Sequence, residues 1–223
     1  MAIADRIFAG TSRLRWRLIG LSAVLFAVVG GLTAFGFYEF RKQPLSPSGG
    51  WYFFGRTELP VALYLQSDPA WGQDQLGLSV HTMGQVGCAV TSVAMVMKFY
   101  GVDVDPGRLN VFLRDHEGYD ENNDLRWEGP PVLAPGQVRH VYEDLPSYYL
   151  IDSNLARGNP VIIRLHLASG STHFVVIMGK RGFDYLIRDP SMAGLRKGVY
   201  PLRELGSKIE ALRFYEKLGS AHQ

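Results

Sequence analysis

Gly84–Gly101 reads GQVGCAVTSVAMVMKFYG and carries Cys88, the only cysteine in 223 residues. Val90, Val93, Ala94, Met97 and Tyr100 recur behind it at helical spacing, and Gly101 is a natural stop. The stretch therefore predicts a buried helix that begins at the thiol. A thiol in the first helical turn faces backbone N–H groups without intrahelical partners and the positive end of the helix dipole. Both favour the thiolate, the reactive form. A lone cysteine is more commonly a small core residue, so the rest of the chain has to decide its role.

Residues 18–38, LIGLSAVLFAVVGGLTAFGFY, form an uncharged run of 21 residues. As a helix that run is long enough for a hydrocarbon core of roughly 30 Å. Arg6, Arg13, Arg15 and Arg17 precede it, against Arg41 and Lys42 after it. That asymmetry predicts a cytoplasmic N-terminus and an extracytoplasmic remainder, periplasmic or at the cell surface. The run exceeds a usual signal h-region, and only Leu32-Thr33-Ala34 resembles a cleavage site. An uncleaved signal anchor is expected over a cleaved signal peptide.

The net charge of +2 divides unevenly. Residues 1–42 hold six Lys/Arg against two Asp/Glu, whereas residues 43–223 hold 17 against 19. The basic excess belongs to the membrane flank, and no basic stripe with interleaved aromatics follows, so no nucleic-acid partner is expected. A single cysteine beyond the membrane has no internal disulfide partner, which favours a use for the thiol.

The expected organisation is a basic N-terminus over 1–17, a transmembrane segment over 18–38, a linker over 39–59 containing QPLSPSGG, and a folded domain over 60–223. Within that domain Val61–Gln66 reads as a short strand. Asp105-Pro106 opens a helix to Asp115, with Leu109, Phe112 and Leu113 inward. A short helix follows near Ile151–Arg157. VIIRLHL (161–167), HFVVIMG (173–179) and FDYLIRDP (183–190) predict three strands joined by turns at Gly170-Ser171 and Arg181-Gly182, and Ile209–Tyr215 a last strand. Helices first and an antiparallel sheet after is the order of an α+β fold.

A nucleophilic thiol needs a base in hydrogen-bonding reach and a third group to orient that base. His173 begins one strand and Asp189 ends the next. With a reversal at Arg181-Gly182 they become cross-strand neighbours at one sheet rim. His166 competes as base but shares a face with Arg164 and has no acidic counterpart. His81, His116 and His140 read as loop residues. The oxyanion of an acyl-transfer reaction needs donors, for which the Cys88 N–H and a side-chain amide qualify. Gln66 is preferred over Gln85, which is too near the cysteine in sequence. No histidine or carboxylate pair has zinc spacing. Asp120, Asn122 and Asp124 mimic a calcium loop, but Leu125 stands where glycine is needed and Pro131 where glutamate is. No metal and no cofactor is expected.

Gln66 in LYLQSDPAW, Cys88 in GQVGCAVTSVAMVMKFYG, His173 in THFVVIMG and Asp189 in IRDP follow one another in an order that resembles the papain-like bacteriocin-processing cysteine peptidase family, in particular its exported, stand-alone relatives without a transporter. The resemblance covers roughly residues 60–215. It implies a papain-like α+β fold, with the cysteine helix packed on an antiparallel sheet. It also implies Cys88 as nucleophile, His173 as general base and acid, Asp189 as orienting residue and Gln66 as oxyanion donor, acting on a peptide or protein substrate. Ala89 departs from the glycine that many members carry after the cysteine and narrows the approach to the thiol. These residues include no nucleotide-binding segment or multi-span transporter, so leader processing coupled to export is not implied. The leading expectation is a membrane-anchored, extracytoplasmic thiol hydrolase. Two alternatives use the same scaffold: a catalytically inactive peptide-binding or cell-envelope domain, and an acyl or amide transferase.

Overall fold

The computed structural model describes residues 2–219 in two units, Met1–Gln43 and Pro44–Gln223. The first consists of helix α1 (Ala2–Arg41). Its Ile19–Gly36 segment has a mean hydropathy of 2.0 and exposes its side chains. Eighteen residues at about 1.5 Å each span about 27 Å, so length and composition suit either a membrane span or a signal sequence.

The second unit is α+β, as expected. In chain order it holds β1 (Ser48–Glu58), α2 (Met83–Val86), α3 (Cys88–Phe99), α4 (Pro106–Asp115), β2 (Val138–Asp144), α5 (Tyr148–Ala156), β3 (Val161–His166), β4 (Thr172–Arg188), α6 (Met192–Lys197), β5 (Tyr200–Pro201) and β6 (Ile209–Lys217). One sheet runs β1-β4-β3-β6-β2, with β5 pairing β4 and every pairing antiparallel. The helices α3 and α4 cover one face. Val90, Val93, Ala94 and Met97 pack there with Ile162, Val176, Met178 and Leu186. On the other face α5 contributes Ile151 and Leu155 to a core with Ile163, Val175, Ile177 and Ile187. Alternate residues of each central strand thus feed opposite cores, which is why these strands read as continuous apolar runs.

The helix α4 begins where expected. The Asp105 carboxylate accepts from Arg108 N at 2.8 Å, Pro106 takes the first helical position, and Leu109 and Leu113 are buried while Phe112 is half-buried. Three expectations differ. Val61–Gln66 is not a strand: the chain leaves the sheet at Leu59, whose N–H donates to Met178 O, and Pro60 has no N–H to continue the ladder. Residues 48–58, read as linker, form the edge strand β1 instead, masked in sequence by glycines at 49, 50 and 55 that adopt positive φ. Residues 138–144 form β2, so His140 lies in a strand, not a loop.

The course of β4 positions the site. The expected strands 173–179 and 183–190 both lie within β4, which runs without interruption from Thr172 to Arg188 and reverses at Arg181-Gly182 as expected. Sixteen extended residues would separate His173 from Asp189 by roughly 53 Å. Their side chains nevertheless meet at 2.9 Å, so the run doubles back. Gly182 supplies a φ of +61° at the bend. The strand β1 wraps this corner, pairing Thr57 with Lys180, Arg56 with Arg181 and Phe53 with Gly182, which keeps the backbone extended through it. A fully buried ion pair locks the wrap. Lys180 Nζ donates to Asp152 Oδ1 at 2.6 Å and to Gly49 O at 2.7 Å, while Trp51 N and Tyr185 O–H donate to the same carboxylate.

Candidate active site

The thiol of Cys88 sits at the first residue of α3, after the break at Gly87 that separates α2 from α3. It is free and buried, with 8% of its surface exposed. The helix is pinned to the sheet beside the imidazole, because Ser92 Oγ donates to the carbonyl of Phe174, the residue after His173. Two elements distant in sequence thereby bring Cys88 and His173 together.

His173 Nε2 donates to Asp189 Oδ1 at 2.9 Å. With Nε2 engaged, Nδ1 is the ring nitrogen left for the thiol. Burial opposes charge on the imidazole. The hydrogen bond to Asp189, with the hydrogen bond and charge of Cys88 behind it, overcomes that cost and raises the pKa to about 9.

The carboxylate of Asp189 has no exposed surface. Burial disfavours its charge, but His173, the Tyr200 hydroxyl and the Ser191 N–H more than offset this, holding the pKa at about 2. Tyr200 O–H donates to Oδ2, and Ser191 N donates to Oδ1 at 2.8 Å. Three donors on a buried carboxylate fix its orientation. The Ser191 contact closes an Asx turn and was legible in Asp189-Pro190-Ser191. The Tyr200 contact carried no sequence signal, since it depends on β5 pairing Tyr200 with Ile187.

The amide of Gln66 bridges the two halves. Its backbone N–H donates to Pro190 O, next to Asp189, at 2.9 Å. Its side-chain Nε2 donates to Gly84 O, also at 2.9 Å. In an unbroken helix Gly84 O would accept from Cys88 N–H, four residues on. Here Gln66 takes that carbonyl, and Cys88 N–H has no hydrogen-bond partner among the described residues. A backbone donor at Cys88 and a side-chain amide held on Gly84 thus belong to the same α2–α3 junction. Gln85 is occupied elsewhere: its Oε1 accepts from Thr82 N in a capping box.

A cavity of about 650 Å³ borders Cys88, Ala89 and Val90 and runs past Thr172 and Phe174. The Ala89 methyl lines this space without closing it. A second cavity of about 620 Å³, between Trp71 and Phe112, contains none of the four predicted residues. His166 is exposed at the end of β3 and takes no part. Asp120 Oδ1 accepts from Asn122 N and Asp124 N, closing a local loop, and no group of three or more metal-capable side chains occurs among the described residues.

No curated protein sequence matches this chain. Among solved structures it is similar to a Bacillus anthracis protein described as a C39-like peptidase, with 16% identity and a TM-score of 0.45 over 74% of this chain and 100% of that one. It is also similar to a double glycine motif protease from an AMS/PCAT transporter, solved with its leader peptide, with 20% identity and a TM-score of 0.44 over 79% of this chain and 99% of that one. A family model described as Peptidase_C39 like matches residues 58–221, a segment that contains Gln66, Cys88, His173 and Asp189. On that match, over well more than half its length, the chain belongs to the Peptidase_C39 like family.

Proposed function

We propose that the protein is a membrane-anchored, extracytoplasmic cysteine peptidase that hydrolyses peptide or amide bonds with Cys88, His173 and Asp189. The observation that carries this reading is the buried His173–Asp189 hydrogen bond, with Cys88 raising the pKa of the same imidazole. Family membership supports cysteine-peptidase chemistry. The apolar Ile19–Gly36 segment and the arginines before it support the anchor and its orientation.

At neutral pH His173 carries a proton, and the attacking species at Cys88 is the thiolate. The sulfur attacks the substrate carbonyl carbon, and the carbonyl oxygen becomes an oxyanion met by Cys88 N–H and Gln66 Nε2. Collapse of this intermediate breaks the C–N bond as His173 gives its proton to the leaving amine. A water then loses a proton to the neutral imidazole and attacks the thioester. The acid product leaves, and the thiolate and imidazolium are restored. Asp189 keeps Nε2 engaged throughout, so Nδ1 handles every proton.

Two measurements test the reading. Cys88→Ala should abolish both turnover and labelling by a thiol alkylator while leaving the folded state intact, and persistent turnover would refute the proposal. Protease accessibility in intact cells, read at tags on each end, should find the C-terminal end exposed outside and the N-terminal end protected. The opposite pattern would refute the orientation.

A further inference from the structure

The cavity beside Cys88 contains a buried cation whose hydrogen-bonding capacity the described residues leave unmet. Arg213 lies on β6, on the face that bears α3, and is only 7% exposed. Its guanidinium carbon lies 4.7 Å from the Trp127 ring centre and 5.5 Å from that of Phe174. Nε and Nη1 are buried without a hydrogen-bond partner. Among the described residues Nη2 meets Glu143 at 4.0 Å, an ion-pair contact longer than a hydrogen bond. Buried guanidinium groups are ordinarily paired and hydrogen-bonded, because the desolvation cost is otherwise unrecovered.

The acids that line the cavity compensate it only in part. The side chain of Glu143 is 40% exposed. Asp120 Oδ1 is committed to its own loop, and Asp124, the third acid of the lining, is exposed to solvent. Arg164, paired with Phe174 across β3 and β4, adds a second cation to the same wall, and its nearest acid is Glu210 at 3.5 Å on the neighbouring strand.

We infer that Arg213, with Arg164 beside it, forms a subsite for a carboxylate of the peptide substrate, so that the cleft selects acidic peptides. The two aromatic rings hold the planar fork rigid, and planar forks match carboxylates in a bidentate fashion. Phe174, which contacts the guanidinium, adjoins His173 in sequence, so a peptide held at Arg213 runs along the cavity towards the Cys88 sulfur. The inference rests on the peptidase reading and names the substrate class for that site.

The test separates the two. Full-length Cys88→Ala protein in detergent is immobilised and offered a peptide library in matched sets. Members are identical except for Glu or Gln at one position, all C-terminally amidated, and a third set carries Gln with a free C-terminal carboxylate. Carboxylate members should be retained about tenfold to a hundredfold better than their amide counterparts, in the range of a desolvated charge pair. Whichever set is enriched identifies side-chain or terminal carboxylate. The preference should vanish in Cys88→Ala/Arg213→Gln and increase in Cys88→Ala/Glu143→Gln, where the competing acid is removed. Because Arg213 also packs between rings, the matched pairs on the protein with Arg213 intact decide the matter even if Arg213→Gln fails to fold. Equal retention of the pairs, or retention of neither, overturns the inference. Labelling of unaltered Cys88 by iodoacetamide reports on the peptidase reading independently.

Discussion

Replacing Asp189 by Asn removes a charge from the site and leaves its shape. The amide oxygen of Asn can stay on the Oδ1 side, accepting from His173 Nε2 and Ser191 N. Its NH₂ then meets the Tyr200 oxygen, which as a hydroxyl can accept as readily as donate. The consequence is therefore electrostatic. Raising His173 from the ordinary 6.5 to about 9 corresponds to about 3 kcal/mol favouring the imidazolium, net of burial. Asp189 and Cys88 share that effect, with the Asp189 hydrogen bond the larger of the two favourable contributions, so its loss removes about 1 to 2 kcal/mol, roughly tenfold in the charged imidazole. The His173 folded-state pKa lies above its unfolded value. Its stabilising effect is therefore complete below about pH 6.5 and is lost as pH rises through about 9. The Asp189 pKa lies below its unfolded value, so its effect is complete above about pH 4 and lost as pH falls towards about 2. The stability gap between the wild-type protein and Asp189→Asn should be widest between about pH 4 and 6.5. It should close on either side in denaturant titrations. An NMR titration of the His173 ring protons should show a midpoint near 9 in the wild-type protein and a fall towards neutrality in the variant, with the alkaline limb of kcat/KM moving with it. A midpoint that stays near 9 in Asp189→Asn would refute the reasoning, because the carboxylate could not then be what holds the proton.

Gln66→Ala should lower kcat by about a hundredfold to a thousandfold with KM little changed, as expected for a donor that acts on the oxyanion, and steady-state kinetics on any cleaved peptide would show it. Lys180→Ala strands the Asp152 carboxylate in the core and should cost about 3 to 5 kcal/mol, measured by urea denaturation. In the same experiment Arg56→Ala, an exposed change on the same strand pair, should cost less than about 1 kcal/mol. Gly194→Ala places a methyl where it would overlap the carbonyl oxygen of Asp189. It should cost about 1 to 3 kcal/mol and displace the His173 titration as well as the melting temperature.

The elements that were legible in the sequence are those whose local chemistry and long-range packing agree. The α4 helix was readable because Asp105 and Pro106 define its start within one turn, and the burial of Leu109 and Leu113 follows from their spacing. The α3 helix was readable because almost every side chain from Val90 to Met97 is apolar or small and all are buried. The first strand was not, because its residues are mostly exposed and its glycines resemble a linker; only the corner of β4 makes it a strand. The strand predicted at Val61–Gln66 has the right composition and no partner, since the β4 edge it would use is already occupied by β1.

Taken alone, the sequence determined the α+β class, the uncharged segment at 18–38, and the four residues Gln66, Cys88, His173 and Asp189 on which the proposed chemistry rests. These are local properties: periodicity, turn residues, one unpaired thiol, and a histidine and aspartate about equally far from the Arg181-Gly182 turn. The tertiary structure decided what holds them. The doubling back of β4 under β1 brings His173 to Asp189. Tyr200 reaches the carboxylate from a strand that exists only by pairing with β4. The break at Gly87 leaves the Gly84 carbonyl to Gln66, while the Cys88 N–H keeps no partner among the described residues. Arg213 becomes a buried cation only when Trp127 and Phe174 close on it. The nearest of these partners, Tyr200 and Asp189, are 11 positions apart, and the others are farther. The interaction partner at such separations is set by chain topology and packing, and no local preference of either residue encodes it.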